Sequence, residues 1–229
     1  MESNTAIENI EPESLHLEVL PIITKKAFFE CLDFDFLDCS LWYLAGGTAL
    51  GLEVGHRRSV DLDFFSPQGK LDLVSLEREL LNTQKWKTTL IERGTLYGEL
   101  SGAKMSFIAY PFFLPSKTRI ACGKICLLTA FDIAAMKIIA ISQRGRKRDF
   151  VDLYWYCMNR EGLASVIGRA MRQYPGQNNN IQHILKSLVY FADAEEDPMP
   201  EIFFKADWRT IKAYFQREVP KIAKELLGI

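Results

Sequence analysis

Residues 45–65 read AGGTALGLEVGHRRSVDLDFF, and the reading of the fold starts there. Immediately before, Leu41–Ala45 is a short apolar run that meets Gly46-Gly47, the pattern of a buried strand ending in a glycine turn. Thr48–Val54 then reads as a short helix, with Thr48 as a candidate N-cap and Gly55 as its stop. After His56-Arg57-Arg58-Ser59, Val60–Phe65 reads as an alternating strand halted by Ser66-Pro67.

Asp61 and Asp63 are two residues apart in that strand. They project to one face, while Leu62 and Phe64 turn toward a core. Two adjacent carboxylates repel, more strongly when partly desolvated, and a divalent cation removes that cost. Mg²⁺, a hard ion that takes oxygen ligands and shares its shell with phosphates, suits the pair. The plain alternative is a solvated acidic pair on an edge strand. Gly46 and Gly47 at a strand-to-helix junction let backbone N–H groups approach a phosphate beside a positive helix N-terminus. Thr48 adds a hydroxyl donor, and the alternative there is simply a tight turn. Glycine turn and carboxylates together put a phosphate cradle and a metal site on neighbouring strands, which is more specific than either part. Between them, Arg57, Arg58 and Ser59 form either a phosphate-holding turn or a solvated loop.

Composition narrows the class. The 229 residues carry 28 Lys+Arg against 29 Asp+Glu, with 48% hydrophobic and 12% aromatic residues, which is ordinary for a globular chain and unlike disordered or fibrous ones. A net charge of −1 excludes a globally basic nucleic-acid binder but leaves room for a local basic patch. No apolar run approaches the roughly 20 residues of a membrane span, and the polar, acidic N-terminus is unlike a signal peptide, so a cytoplasmic protein without membrane contact is expected. Five cysteines cannot all pair within one chain. Cys122 and Cys126 lack a second pair at zinc spacing, so buried reduced thiols are expected throughout. Three histidines give little support to a His-rich metal site or a His-driven hydrolase. P-loop, Rossmann and G-x-S-x-G motifs are absent.

Outward from the central stretch, the pattern is α+β, a small mixed sheet followed by a helical half. Residues 1–13 read as a polar leader. Leu15–Leu37 has helical spacing, with a break or a fresh start near Pro21. Leu71–Leu81 reads as an amphipathic helix. β-like runs cover Lys87–Ile91, continuing through Leu96-Tyr97, then Lys104–Tyr110 and Lys124–Leu128. Helices are expected at Phe131–Gln143, Lys147–Cys157, Leu163–Gln173, Ile181–Phe191 and Trp208–Leu227, with loops at Tyr174–Asn180 and Asp193–Pro200. The organisation expected is 1–39 as a helical leader, 40–128 as a catalytic sheet and 129–229 as a helical half. The aromatic stripe Phe107, Tyr110, Phe112, Phe113 reads as core and sheet edge in preference to a base-stacking platform.

A second constellation lies in residues 137–153, KIIAISQRGRKRDFVDL. Lys137 and Arg144 are seven apart on one helical face. Arg144, Arg146, Lys147 and Arg148 cluster around Gly145, and Asp149 and Asp152 share the next helix's face. The readings are a salt-bridged helical corner, or a triphosphate clamp of Lys137 and Arg144 with Asp149 or Asp152 orienting the cations or serving as a base.

These two stretches resemble the AbiEii/AbiGii toxin-type nucleotidyltransferases. The first carries GGT-x-L, H-R-x-S and D-L-D-F-F. The second, MKIIAISQRGRKRDFVDLYW, carries K-x-x-A followed by R-x-x-x-R-D-x-x-D, and the likeness spans about residues 40–157. The resemblance implies a polymerase-β-like core that moves a nucleoside monophosphate from an NTP to an acceptor hydroxyl with Mg²⁺. It implies Gly46, Gly47 and Thr48 in the phosphate turn, Asp61 and Asp63 as metal ligands, Lys137 near the triphosphate and Asp152 as an essential acid. Arg58, Ser59, Arg144 and Asp149 would support the site. RNA, tRNA included, is the implied acceptor and a cognate antitoxin the implied partner. A third metal carboxylate, usual in the wider superfamily, is missing from Lys104–Ala109. A domain that binds nucleotide or partner without turnover, or an enzyme with a protein or small-molecule acceptor, is the rival reading.

Overall fold

The computed structural model describes residues 6–176 and 180–227, arranged as two compact units, 1–129 and 130–229. The first unit holds one mixed sheet of eight strands: β1 (Ala6–Asn9), β2 (Tyr43–Leu44), β3 (Leu62–Ser66), β4 (Trp86–Glu92), β5 (Thr95–Leu100), β6 (Ala103–Ala109), β7 (Thr118–Cys122) and β8 (Ile125–Leu128). Their order is β1-β7-β8-β2-β3-β6-β5-β4. Helices α1 (Ile22–Cys31), α2 (Gly46–Val54) and α3 (Leu73–Asn82) belong to the same unit.

The centre of this sheet explains the alternation in the sequence. Leu62 and Phe64 are almost wholly buried, while Asp63 and Phe65 on the other face keep partial exposure; the strand expected from Val60 starts at Leu62, so Asp61 lies just before it. Phe64 stacks on Phe107, whose ring also meets Trp42 and Trp86 edge-on, so four aromatic side chains anchor the strands that carry the acidic pair. β3 pairs antiparallel with β2 and parallel with β6.

Several elements differ from the sequence reading for definable reasons. The strand around Leu41–Ala45 shrinks to Tyr43–Leu44, because the turn that starts α2 takes up Ala45. Ala45 is the N-cap of α2, so Thr48 lies inside the first turn instead of capping it. The run Lys87–Tyr97 is two strands: Arg93 and Gly94 both have positive φ (46° and 78°) and close a two-residue hairpin between β4 and β5. β7 escaped the periodicity, and β1 is a fully exposed strand in the stretch read as polar leader, paired parallel to β7. Asp72 caps α3 by accepting from the Ser75 N–H at 3.0 Å, which moves the helix two residues past Leu71. The expected stop at Gly55 is present, in left-handed conformation.

The expectation of five free thiols is corrected. Cys39 and Cys126 form a disulfide, because the β2–β8 pairing brings the segment before β2 alongside Cys126, with 5.1 Å between the two Cα atoms. Cys31, Cys122 and Cys157 are free.

The second unit is helical: α4 (Ala130–Arg144), α5 (Lys147–Asn159), α6 (Leu163–Gln173), α7 (Ile181–Ser187), α8 (Ala192–Glu195) and α9 (Trp208–Leu227). Phe150 is its hub, with the rings of Phe191, Trp208 and Phe215 packed around it. The expected helix Ile181–Phe191 ends at Ser187, and α8 occupies the start of the expected loop at Asp193–Pro200. Residues 177–179 of the other expected loop lie outside the described residues. No described helix is long and apolar enough to cross a membrane.

Candidate active site

In the first unit, the sequence motif becomes a short lattice of contacts between α2, β3 and β6. Gly46 opens α2 with φ of 70°, a left-handed conformation natural to glycine. A Cβ built on Gly46 would stand 3.6 Å from Asp63 Oδ2, so the glycine sits directly against that carboxylate. The other oxygen, Oδ1, accepts a 2.5 Å hydrogen bond from Ser106 Oγ. Ser106 is the direct partner of Asp63 in the parallel β3–β6 register. The Ala45 N–H donates to the Asp63 carbonyl at 3.1 Å and ties the start of α2 to the same strand.

The α2 N-terminus carries no side-chain cap. The first N–H groups of a helix have no partner within it, and the macrodipole adds positive potential there. Gly47 follows in that first turn. Thr48 is held inward: its hydroxyl donates to the Asp61 carbonyl, lies 2.7 Å from Ser59 Oγ, and the residue is buried. Thr48 and Ser59 therefore brace the approach to Asp61 through each other.

The turn between α2 and β3 is not a solvated loop. His56 and Arg57 are only 2% and 4% exposed, and Arg57 Nη1 donates to the Arg58 carbonyl at 2.9 Å. The Ser59 N–H reaches the Val19 carbonyl at 3.0 Å and Thr24 Oγ1 the Val60 carbonyl at 2.9 Å, so the segment is buttressed by the chain before and within α1. Arg58 alone of the two arginines keeps appreciable exposure.

Asp61, immediately before β3, and Asp63, on it, offer hard oxygen donors, with Gly46 set against Asp63 Oδ2. The chemistry of this donor set, two carboxylates, fits a divalent cation of the Mg²⁺ type. Among the described residues no group of three or more acidic, His or Cys side chains stands ready to hold a metal. Ser106 occupies the register position from which a third acid on β6 would reach the pair.

In the second unit, α4 and α5 bring Lys137, Arg144, Asp149 and Asp152 into one buried ionic cluster. Lys137 Nζ lies 2.6 Å from Asp149 Oδ1 and 2.7 Å from Asp152 Oδ2. Arg144 Nε lies 3.3 Å from Asp149 Oδ2. Both carboxylates are fully buried, while the Arg144 side chain remains 55% exposed. Burial alone would raise the Asp149 carboxyl. The Lys137 ammonium and the Arg144 guanidinium outweigh it and hold the group below the ordinary carboxylate range. The two acids thus fix Lys137 in one position, and Arg144 is the cation of this set that reaches solvent.

The rest of the basic run is dispersed. Arg146 Nη1 pairs with Asp197 Oδ1 at 2.9 Å. The Lys147 N–H donates to Asp197 Oδ2, its ammonium donates to the Asp197 carbonyl, and it lies 5.3 Å from the centre of the Trp208 ring. Asp197 went unnoticed in the sequence because its partners are some fifty residues away.

With this geometry in hand, comparison with known proteins is informative. The family profile described as "Nucleotidyl transferase AbiEii toxin, Type IV TA system" matches residues 27–92 and 114–226, which include every site residue expected from the sequence, though not Ser106. An uncharacterized protein of Aquifex aeolicus (strain VF5) is 37% identical over 192 residues, covering 79% of this chain and 87% of the relative. Among solved structures, MenT4, a nucleotidyltransferase toxin of Mycobacterium tuberculosis H37Rv, aligns with a TM-score of 0.54 at 15% identity, over 91% of this chain and 87% of that one, a likeness of fold. JHP933 from Helicobacter pylori aligns with a TM-score of 0.48 at 16% identity over 90% and 92%.

Proposed function

The chain belongs to the AbiEii family of nucleotidyl transferase toxins, and from that premise we propose that it moves a nucleoside monophosphate from an NTP to a hydroxyl at the end of an RNA, tRNA included. The observation that carries this reading is the juxtaposition of Gly46 and Asp63, a helix start without a side-chain cap set directly against a carboxylate. The acceptor oxygen attacks the α-phosphorus. The new P–O bond forms as the bond to the β-phosphate oxygen breaks, and pyrophosphate leaves with that electron pair while the hydroxyl proton passes to solvent.

The chain's own groups have separate tasks. Gly46 and Gly47 offer N–H groups of the α2 start to the leaving phosphates, and Thr48 and Ser59 hold that start in register with Asp61. Arg58 adds a cation at the same turn. Asp61 and Asp63 would hold Mg²⁺, with Ser106 orienting Asp63. When bound, the ion supplies charge neutralisation at the phosphate oxygens. For Lys137 and Arg144 we propose cationic roles toward the triphosphate, with Asp149 and Asp152 positioning Lys137. This assignment rests on the family resemblance and on the cluster's own ion pairs. We propose 40–128 as the catalytic part of the sheet, which β1 extends at its edge, and 129–229 as the helical half that bears these cations. A cognate antitoxin is the proposed protein partner, after the family's description as a type IV toxin–antitoxin component, and the cytoplasm is the proposed site of action.

The test is label transfer. Protein, Mg²⁺ and each common NTP labelled at the α-phosphate are incubated with total cellular RNA and, separately, with soluble protein, beside an Asp61→Asn/Asp63→Asn variant. Label on RNA, lost in the variant, supports the reading and identifies the NTP. Label on polypeptide alone moves the acceptor to a side chain, and label in neither fraction removes both macromolecular acceptors.

A further inference from the structure

Four rings run in sequence across the strand face that carries the acidic pair. Tyr43 stacks on Phe65 with centroids 6.1 Å apart and planes at 11°. Phe65 meets Tyr110 edge-on at 5.3 Å, and Tyr110 meets Phe112 edge-on at 6.0 Å. Exposure rises along the row. Tyr43 is buried with the Arg119 guanidinium 5.6 Å from its ring centre, Phe65 and Tyr110 are half-buried, and Phe112 is 51% exposed. Phe107 and Phe113 have gone into the core, as the sequence led one to expect, but Tyr110 and Phe112 have not.

The backbone fixes where this row stands. Phe65 is two residues past Asp63, so both side chains leave the same face of β3, about 6–7 Å apart along the strand. The Tyr110 N–H donates to the Ser66 carbonyl at 2.7 Å, extending the β6 ladder by one residue and holding Tyr110 beside Phe65. On the other side, β2 pairs Tyr43 with Phe65 and Leu44 with Phe64, and the Ala45 N–H reaches the Asp63 carbonyl just before the glycine turn. Along the sheet the order is therefore ring row, carboxylate, glycine turn.

That order has a chemical consequence. In displacement at phosphorus the attacking and leaving oxygens lie roughly in line. If pyrophosphate leaves on the Gly46-Gly47 side, the attacking group arrives from the opposite side, where the rings are. We propose that Tyr110 and Phe112 stack the terminal base of a single-stranded RNA acceptor, with Phe65 as the inner wall. The proposal rests on the nucleotidyl-transfer reading of Asp61 and Asp63. Every base has a π-face, so a ring row of this kind grips an RNA end without choosing its sequence. A serine or threonine acceptor offers no such plane at its reacting residue.

The experiment measures binding apart from turnover. A short single-stranded RNA with 2-aminopurine as its last base is titrated into the full-length protein without NTP and with EDTA. The same RNA with an abasic last nucleotide is titrated in as an unlabelled competitor, and its Kd is read from displacement of the fluorescent RNA. Tyr110→Ala, Phe112→Ala and Phe112→Trp are compared, and thermal melts verify that each is folded. Stacking predicts quenching by the wild type and a Kd about tenfold weaker for Phe112→Ala. It predicts retention of binding by Phe112→Trp, and no further loss when the abasic RNA meets Phe112→Ala. Equal affinity for the two RNAs, or for wild type and Phe112→Ala, overturns the proposal. Quenching without transfer from any NTP sinks the transfer reading instead, while transfer to RNA without quenching sinks the ring row alone. Unchanged RNA binding with transfer to polypeptide lowered in Phe112→Ala also overturns it, in favour of a protein acceptor.

Discussion

Ser106 Oγ donates to Asp63 Oδ1 at 2.5 Å, across a parallel pair of strands in which the two residues stand directly opposite each other. A neutral hydroxyl thus serves the acidic pair from the place where another acid would compete with it. It orients one carboxylate without adding charge, which on the proposed function leaves the metal to Asp61 and Asp63.

Two substitutions at Ser106 separate these effects. Ser106→Ala removes a hydrogen bond to a charged group and should lower stability by about 1.5 kcal/mol, with a larger proportional loss of transfer because Asp63 is no longer oriented. Ser106→Asp should lower the melting temperature in EDTA by adding a third like charge, and Mg²⁺ should restore it to a greater degree than in the wild type. A melting temperature in Ser106→Asp that ignores Mg²⁺ contradicts the metal role of this face.

At Gly46 the backbone and the site make the same demand. Gly46→Ala forces a Cβ into left-handed backbone and into the ground before Asp63 Oδ2. The strain should cost about 1–2 kcal/mol in urea unfolding. Transfer should fall by more than that cost implies, because the phosphate approach is filled. Full activity in a folded Gly46→Ala protein would remove the glycine turn from the site.

Asp149 makes stability depend on acid. Its folded-state pKa is depressed, so its contribution is fully present above the ordinary value of 3.8 and is lost as pH falls through the lowered one. Urea unfolding from about pH 6 down to about pH 2 should show a falling limb that Asp149→Asn flattens. Lys137→Ala, which strands two buried acids, should cost about 3–5 kcal/mol near neutral pH. An unchanged unfolding midpoint in Lys137→Ala would contradict the buried ion pairs.

Burial governs the thiols. It raises Cys31, pushes Cys122 up to about 11 and Cys157 up to about 12. In mildly alkaline buffer the native protein should resist iodoacetamide at all three. Cys39 and Cys126 should be labelled only after reduction, and removing their cross-link should cost about 4 kcal/mol, given its separation of 87 residues. Prompt labelling of Cys122 in the native state would contradict its burial.

What the sequence disclosed depended on how local the cause was. Helices α6 and α9 begin and end where the amphipathic pattern predicts, because one apolar stripe fixes each. Asp61 and Asp63 were legible because a two-residue spacing in a strand has one geometric meaning. β1 was not, since a strand exposed on every residue and held at the sheet's edge by β7 leaves no periodicity. In the 144–148 run the spacing left a salt-bridged corner and a phosphate clamp both open, and Asp197, which pairs with Arg146 and Lys147 from some fifty residues away, is a partner that local spacing does not name. The ring row was half legible: Tyr110 and Phe112 belong to the aromatic stripe evident in sequence, whereas Tyr43 and Phe65 join them only through the β2–β3 pairing.

The most direct test of the account follows the two ends of the triphosphate in one reaction. The protein, Mg²⁺ and total RNA are supplied with NTP labelled at the α-phosphate or at the γ-phosphate, beside Asp63→Asn. Attack at the α-phosphorus predicts α-label on RNA, γ-label in pyrophosphate in equal amount, and neither with Asp63→Asn. γ-Label on the acceptor, or transfer undiminished in Asp63→Asn, would contradict it.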